Sequence, residues 1–249
     1  MMTTQDCFLG FSSDRIVRSL LQITGILIIV HLINLVLGGP SWQIERLFAL
    51  GEEANIPTWF SSTLWAINAL AAYRCSKLIQ TKNIKFLWIL IALGFLAFSI
   101  DETAMIHENV FEVMSRVLPH GFRAGLLARF KATNWPIFAS PFLVLTLAWL
   151  VITFRRLLKG SHTAAKFLFL GFSTVVLGGY GLEMITNFLN HDELQWVWDI
   201  ENVFEESMEM IGAIVILSGL LIHSQFLEQN QKSGQNFIPQ SKSKAGHLV

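Results

Sequence analysis

The sequence predicts an all-α fold: a polytopic membrane bundle of six transmembrane helices with its N- and C-termini cytoplasmic. Three observations predict it. The 249 residues are 53% hydrophobic and only 14% charged, too apolar for an ordinary soluble domain. The apolar residues gather into six long runs, each able to cross a ~30 Å hydrocarbon core as a helix. The basic residues, finally, are distributed asymmetrically about those runs, although the formal net charge is zero. That zero balance also gives no bulk attraction to nucleic acid or another polyanion.

The first run, 16–38, is longer than a signal-peptide core and has no small-residue cleavage pattern behind it, so it reads as a retained anchor. It carries His31 and Asn34. Residues 40–57 mix Trp42, Ile44, Leu47 and Phe48 with Glu45, Arg46, Glu52 and Glu53, the pattern of a short interfacial helix. The second run, 58–78, places Ser61 and Asn68 on one stripe. The third, 84–110, ends in FLAFSIDETAMIHENVFE; at ~100° per residue Asp101, Met105, Glu108 and Glu112 share a stripe, Glu102 flanks it, and His107 projects away. Residues 116–131 are basic and amphipathic, separated from that helix by Pro119 and Gly121.

The fourth run, 135–154, contains no charged residue and predicts a lipid-facing or packing helix that adds nothing to a polar site. In the fifth, 166–190, Glu183, Asn187 and Asn190 share a face beside Tyr180, while Gly178, Gly179 and Gly181 allow a neighbouring backbone to come close. The sixth, 196–222, opens with WVWDIENVFEESMEMIG, where Glu201, Glu205 and Glu209 recur every fourth residue. Residues 228–249 are rich in Gln, Ser, Lys and Gly, a disordered polar tail. Cys7 and Cys75 form no CxxC pair, so neither a zinc knuckle nor a redox motif is present. The pentapeptide ENVFE occurs at 108–112 and 201–205. Both copies fall on the same side of the predicted membrane, where an inverted repeat would put them on opposite sides.

Orientation follows from the basic residues. With a cytoplasmic N-terminus, 13 of the 18 Lys and Arg lie inside, and four of the other five sit in the connection between the third and fourth runs. The acids sort the opposite way: only Asp6, Asp14 and Glu228 fall inside, leaving 15 of 18 at the outer surface or in the outer halves of the helices. The membrane implied is a plasma membrane or a bacterial inner membrane.

The acids carry the chemistry. Asp101 lies ~24 Å along its helix from Lys85, and Glu183 ~25 Å from Lys166, so both reach one depth beneath the outer interface. Like charges one helical turn apart repel, and ionisable residues inside a span are costly and point to function. A divalent cation turns that repulsion into attraction. Asp101, Glu102, Glu108, Glu183, Glu205 and Glu209 are the predicted metal ligands, with Glu201, Glu206 or His31 left for general acid–base work. His31 reads equally well as a hydrogen-bonded structural histidine. An oxygen-rich donor set suits Mn, Fe, Mg or Ca better than Zn or Cu. The chain has no HExxH, no HxxxH and no Glu-x-x-His pair inside its helices, which disfavours a zinc protease, a His-rich desaturase or a standard di-iron bundle.

Two functions fit this pattern. One is a metal-dependent membrane enzyme, a hydrolase or oxidoreductase, whose lipid or other amphiphilic substrate arrives laterally from the bilayer. The other is a proton- or cation-coupled transporter, which would need polar positions through to the inner side and helices broken at mid-membrane. A membrane scaffold whose acids stabilise assembly is a third.

Overall fold

A computed structural model describes residues 7–8, 11–37, 42–107, 109–110, 113, 135–186 and 195–233. The chain enters through a two-rung hairpin absent from the sequence prediction: β1 (Cys7–Phe8) pairs antiparallel with β2 (Phe11–Ser12). Helix α1 (Ser13–Leu37) follows directly. It buries Leu20, Thr24, Leu27, His31 and Asn34, a narrow stripe at helical spacing, and leaves Ile26, Ile29, Ile33 and Val36 facing outward. A helix apolar on all sides with one buried stripe is what a lipid solvent requires.

The predicted short helix in the first connection is α2 (Trp42–Phe48). Beyond it Asn55 fixes the start of α3 (Ile56–Lys77): its Oδ1 accepts from Thr58 N at 3.0 Å, and its Nδ2 donates to the Ala49 and Arg46 carbonyls. Pro57 occupies the first turn, where no N–H is needed. Helix α4 (Lys82–Ala104) is interrupted at Met105, inside the predicted 84–110 run, and residues 106–107 and 109–110 beyond the break are helical again. Met105 turns left-handed there (φ 48°), and its N–H closes on the Asp101 carbonyl at 2.8 Å.

Helix α5 (Trp135–Leu157) contains Pro141 and lies at the margin of the bundle, only 6% of its apolar stretch being buried. Ring contacts of Phe154 with Trp88 and Phe172, and a 2.7 Å hydrogen bond between Ser140 and Tyr180, connect it to its neighbours. The predicted fifth helix is three pieces in one rod: α6 (His162–Val175), a π-helical segment (Val176–Leu182) and α7 (Glu183–Thr186). The π segment holds Gly178, Gly179 and Gly181, weak α-formers that tolerate the wider turn.

Helix α8 (Gln195–Lys232) is the axis of the bundle. Of its apolar stretch 67% is buried, and Met210, Ala213, Ile216, Leu217 and Leu220 are fully enclosed. On one flank α6 comes within backbone contact: a Cβ on Gly171 would sit 2.8 Å from the Gly212 carbonyl oxygen, and one on Gly212 would sit 2.9 Å from that of Gly171. On the other flank α3 presents Ala69 and Ala72, and Asn68 Nδ2 donates across to the Ala213 carbonyl at 3.0 Å. Residues 228–232, assigned from sequence to the disordered tail, instead form the last turn of α8. Arg74 pairs with Glu228 at 2.6 Å and Gln231 reaches the Leu78 carbonyl, so this turn has partners the composition did not reveal.

These contacts define two ends. One end gathers the start of α1, the α3–α4 connection, the α5–α6 turn and the end of α8, with Gln225 donating to Ser13 Oγ at 3.3 Å. The other gathers α2, the start of α3 and the acid-bearing parts of α4, α7 and α8, with Asn202 packed over Gly51. By length and composition, five helices among the described residues can cross a membrane: α1, α4, most of α5 (Phe138–Leu157), His162–Thr186 and most of α8 (Val197–Lys232). Helix α3 has the length but not the apolarity, since it carries polar residues such as Ser61, Ser62, Asn68 and Arg74, each of which bonds to a protein partner.

Candidate functional site

A cavity of about 410 Å³ lies between α4, α5, the π segment and α8. Asp101, Glu102, Glu183, Glu205, Glu206 and Glu209 all line it, joined by Glu53 and His107. Five of the six predicted metal ligands are therefore in one place, and Glu108 lies outside the described residues.

Glu209 is central. Its carboxylate occupies the space a Cβ on Gly179 would need, so the glycine of the π segment admits it. Glu102, Glu183, Glu205 and Glu206 line the same cavity around it. Glu102 is held in turn by α3: Ser61 Oγ donates to its Oε1 at 3.1 Å and Trp65 Nε1 to the same oxygen at 3.0 Å. Asp101 is engaged by His107, whose backbone N–H donates to Oδ1 at 2.9 Å and whose Nδ1 lies 2.7 Å from Oδ2. His107 was expected to project away from the stripe. The left-handed Met105 breaks the helix, and the turn that follows brings His107 onto Asp101. The expected run of Asp101, Met105, Glu108 and Glu112 on one continuous helix fails for the same reason.

The stripe on α8 is only partly realised. Glu205 and Glu209 face the cavity, but Glu201 does not line it. Eight residues at ~100° each leave Glu201 ~80° away from Glu209 around the helix. It is buried there and accepts a hydrogen bond from Thr186 Oγ1 on α7. His31 also lies off the cavity, buried, with its Nδ1 accepting from Leu50 N at 3.3 Å. Glu206 alone of the three acid–base candidates faces the cavity. Among the described residues no group of three or more His, Cys, Asp or Glu is close enough to hold a metal ion.

Glu53 was not singled out from sequence, yet the Asn55–Pro57 cap that pins its loop to α3 was a readable signal. Helix α5, expected to add nothing, supplies an apolar wall through Ala139, Phe142, Leu143 and Thr146. A second, apolar cavity of about 820 Å³ runs between α5 and α6 toward the opposite end of the bundle. It shares Leu147, Leu150, Phe172 and Val176 with the first.

Long apolar helices with outward-facing Ile, Leu, Val and Phe, and polar side chains turned inward, define a polytopic all-α membrane protein. More particularly, the chain belongs to the family described as a domain of unknown function (DUF8692), whose model matches residues 20–224 and so takes in every residue of the acidic cavity. No curated protein and no solved structure matches it.

Proposed function

We propose that this is a six-span membrane protein, α3 being the sixth span and both termini cytoplasmic, whose carboxylate-lined cavity on the outer side binds a divalent cation and acts on an amphiphilic substrate. The observation that carries this is the joining of six acids from α4, the π-helical rod and α8 to an apolar wall from α5 in one cavity. In this reading Asp101 and Glu102, each already oriented by protein donors, frame the site. Glu183, Glu205 and Glu209 would hold the ion, which would supply Lewis-acid chemistry there, and Glu206 would take up a proton as general base. Holding an ion would require these acids to draw together, since among the described residues no three lie close enough to do so, as like charges avoid one another without a cation. The ion is Mg, Mn, Fe or Ca, as an all-oxygen donor set favours. The substrate's apolar part lies along α5 and its polar group faces the acids. Metal analysis of the detergent-purified protein tests this: bound divalent metal in wild type, lost in Glu205→Ala/Glu209→Ala with helix content unchanged. Wild-type protein that neither retains nor rebinds a divalent ion would sink the proposal.

One observation favours a second reading, a proton- or cation-coupled transporter. Two of the rods lining the cavity are interrupted beside it, at Met105 and across the π segment. Against it, Ile216, Leu217 and Leu220 close the bundle tightly beyond the acids. Cation or proton flux into sealed vesicles bearing the protein separates the two readings.

A further inference from the structure

The larger cavity has a chemistry of its own. Its walls are Leu147, Leu150, Val151 and Phe154 of α5 facing Leu168, Phe169 and Phe172 of α6. Its far end is ringed by Arg155, Lys159 and His162 around the α5–α6 turn. All three are exposed, and none has an acidic partner among the described residues. Along α6 the cavity runs from His162 to Leu177, ~22 Å of helix, against ~15 Å for one leaflet of hydrocarbon. It is apolar for the depth of an acyl chain and cationic where a headgroup would sit. A zwitterionic lipid would satisfy the walls, but only a net negative headgroup answers three cationic or cation-forming side chains at the mouth.

We infer that this cavity is a binding site for an anionic phospholipid, its phosphate held by Arg155, Lys159 and His162 and one acyl chain lying between α5 and α6. The inference is independent of what the acidic cavity does. In the orientation proposed above the headgroup lies in the cytoplasmic leaflet, where basic pockets between spans meet anionic lipid. The chain end reaches Leu147, Leu150, Phe172 and Val176, so the lipid forms the apolar floor of the acidic cavity. It also supplies α5 with contacts that the protein itself gives only sparsely.

Native mass spectrometry of the full chain in detergent, titrated with phosphatidylglycerol or with phosphatidylcholine of the same chains, tests the site. Wild type binds one phosphatidylglycerol at least tenfold more tightly than phosphatidylcholine. Two exposed basic groups at a typical strength give roughly 30-fold, so Arg155→Gln/Lys159→Gln brings the two lipids to within about threefold of each other. Lys82→Gln, a basic residue at the same end but off the cavity, keeps the preference. Ala165→Phe, which fills the cavity between the helices, weakens both lipids. Inorganic phosphate in place of lipid binds without saturation in every variant. Equal affinity of wild type for the two lipids, an unchanged preference in the double variant, or the same loss in Lys82→Gln would overturn the inference. All variants should melt alike without added lipid, so a failure to bind is not a failure to fold.

Discussion

Ser61 and Trp65 both donate to one oxygen of Glu102 from a buried face of α3. A buried hydrogen bond to a carboxylate is worth more by what its loss strands than by its own net strength. Ser61→Ala should therefore cost about 1 kcal/mol in denaturant unfolding. Glu102→Gln, which keeps the acceptor, should cost less than Glu102→Leu, which strands both donors; the opposite order would mean these bonds do not hold the carboxylate. Cys75 offers a second probe. Its thiol is fully enclosed, with the Leu220 carbonyl 3.8 Å away, so a Cys7→Ser variant should resist maleimide in mild detergent and react only on denaturation. Rapid reaction in the folded protein would show that α3 and α8 separate readily.

Between α6 and α8 the spacing is set by backbone, not by side chains. At Gly171 and Gly212 each helix's carbonyl oxygen lies within 3 Å of where the other's Cβ would be, so Gly212→Ala must push the helices apart and should cost ~1–3 kcal/mol, the usual range for overpacking. Gly94 of α4 has nothing within 4 Å of its would-be Cβ. There Gly94→Ala should be neutral or gain up to ~1 kcal/mol from helix propensity alone. Paired thermal melts check both, and equal effects would remove the seam. At this scale the sequence was uneven. Gly178 and Gly179 were legible as points of close approach, but Gly181 meets only ordinary contacts and the Gly171–Gly212 crossing went unread. Small residues announce that a partner comes near, not which helix it is. The break at Met105 was illegible because a non-glycine residue takes the left-handed conformation there, against its own preference, while Asp101 and His107 fasten the turn.

For the molecule as a whole, the apolar runs were legible because hydropathy is a property of composition, but the last helix runs ten residues beyond the predicted Ile222 and the third is broken at Met105. The convergence of Asp101, Glu183 and Glu209 was legible from depth alone. The exclusion of His31 and Glu201 was not, since it depends on the rotation of α1 and α8 about their axes. The two-ended arrangement makes a further prediction. Single cysteines replacing Lys159 and Glu53 lie at opposite ends of the bundle, and a membrane-impermeant reagent should label position 159 only from the cytoplasm and position 53 only from outside. The reverse pattern would invert the proposed orientation, and labelling of both from one side would break the bundle as described. The order of the helices also bears on how the chain is made. Helix α8 holds Glu201, Glu205, Glu206 and Glu209 in its first turns, and an acid entering bare lipid raises the cost of transfer, by up to ~2.5–3.5 kcal/mol at mid-span and less toward the interface. Helix α8 follows α1 through α7 in the chain, so the elements that carry Gly179 and the buried face of α3 are synthesised before the acidic helix that packs on them. If integration of the acidic helix depends on that packing, a chain lacking α6 should insert α8 less efficiently than the full chain in a glycosylation-reporter assay, and equal insertion would mean that α8 needs no acceptor.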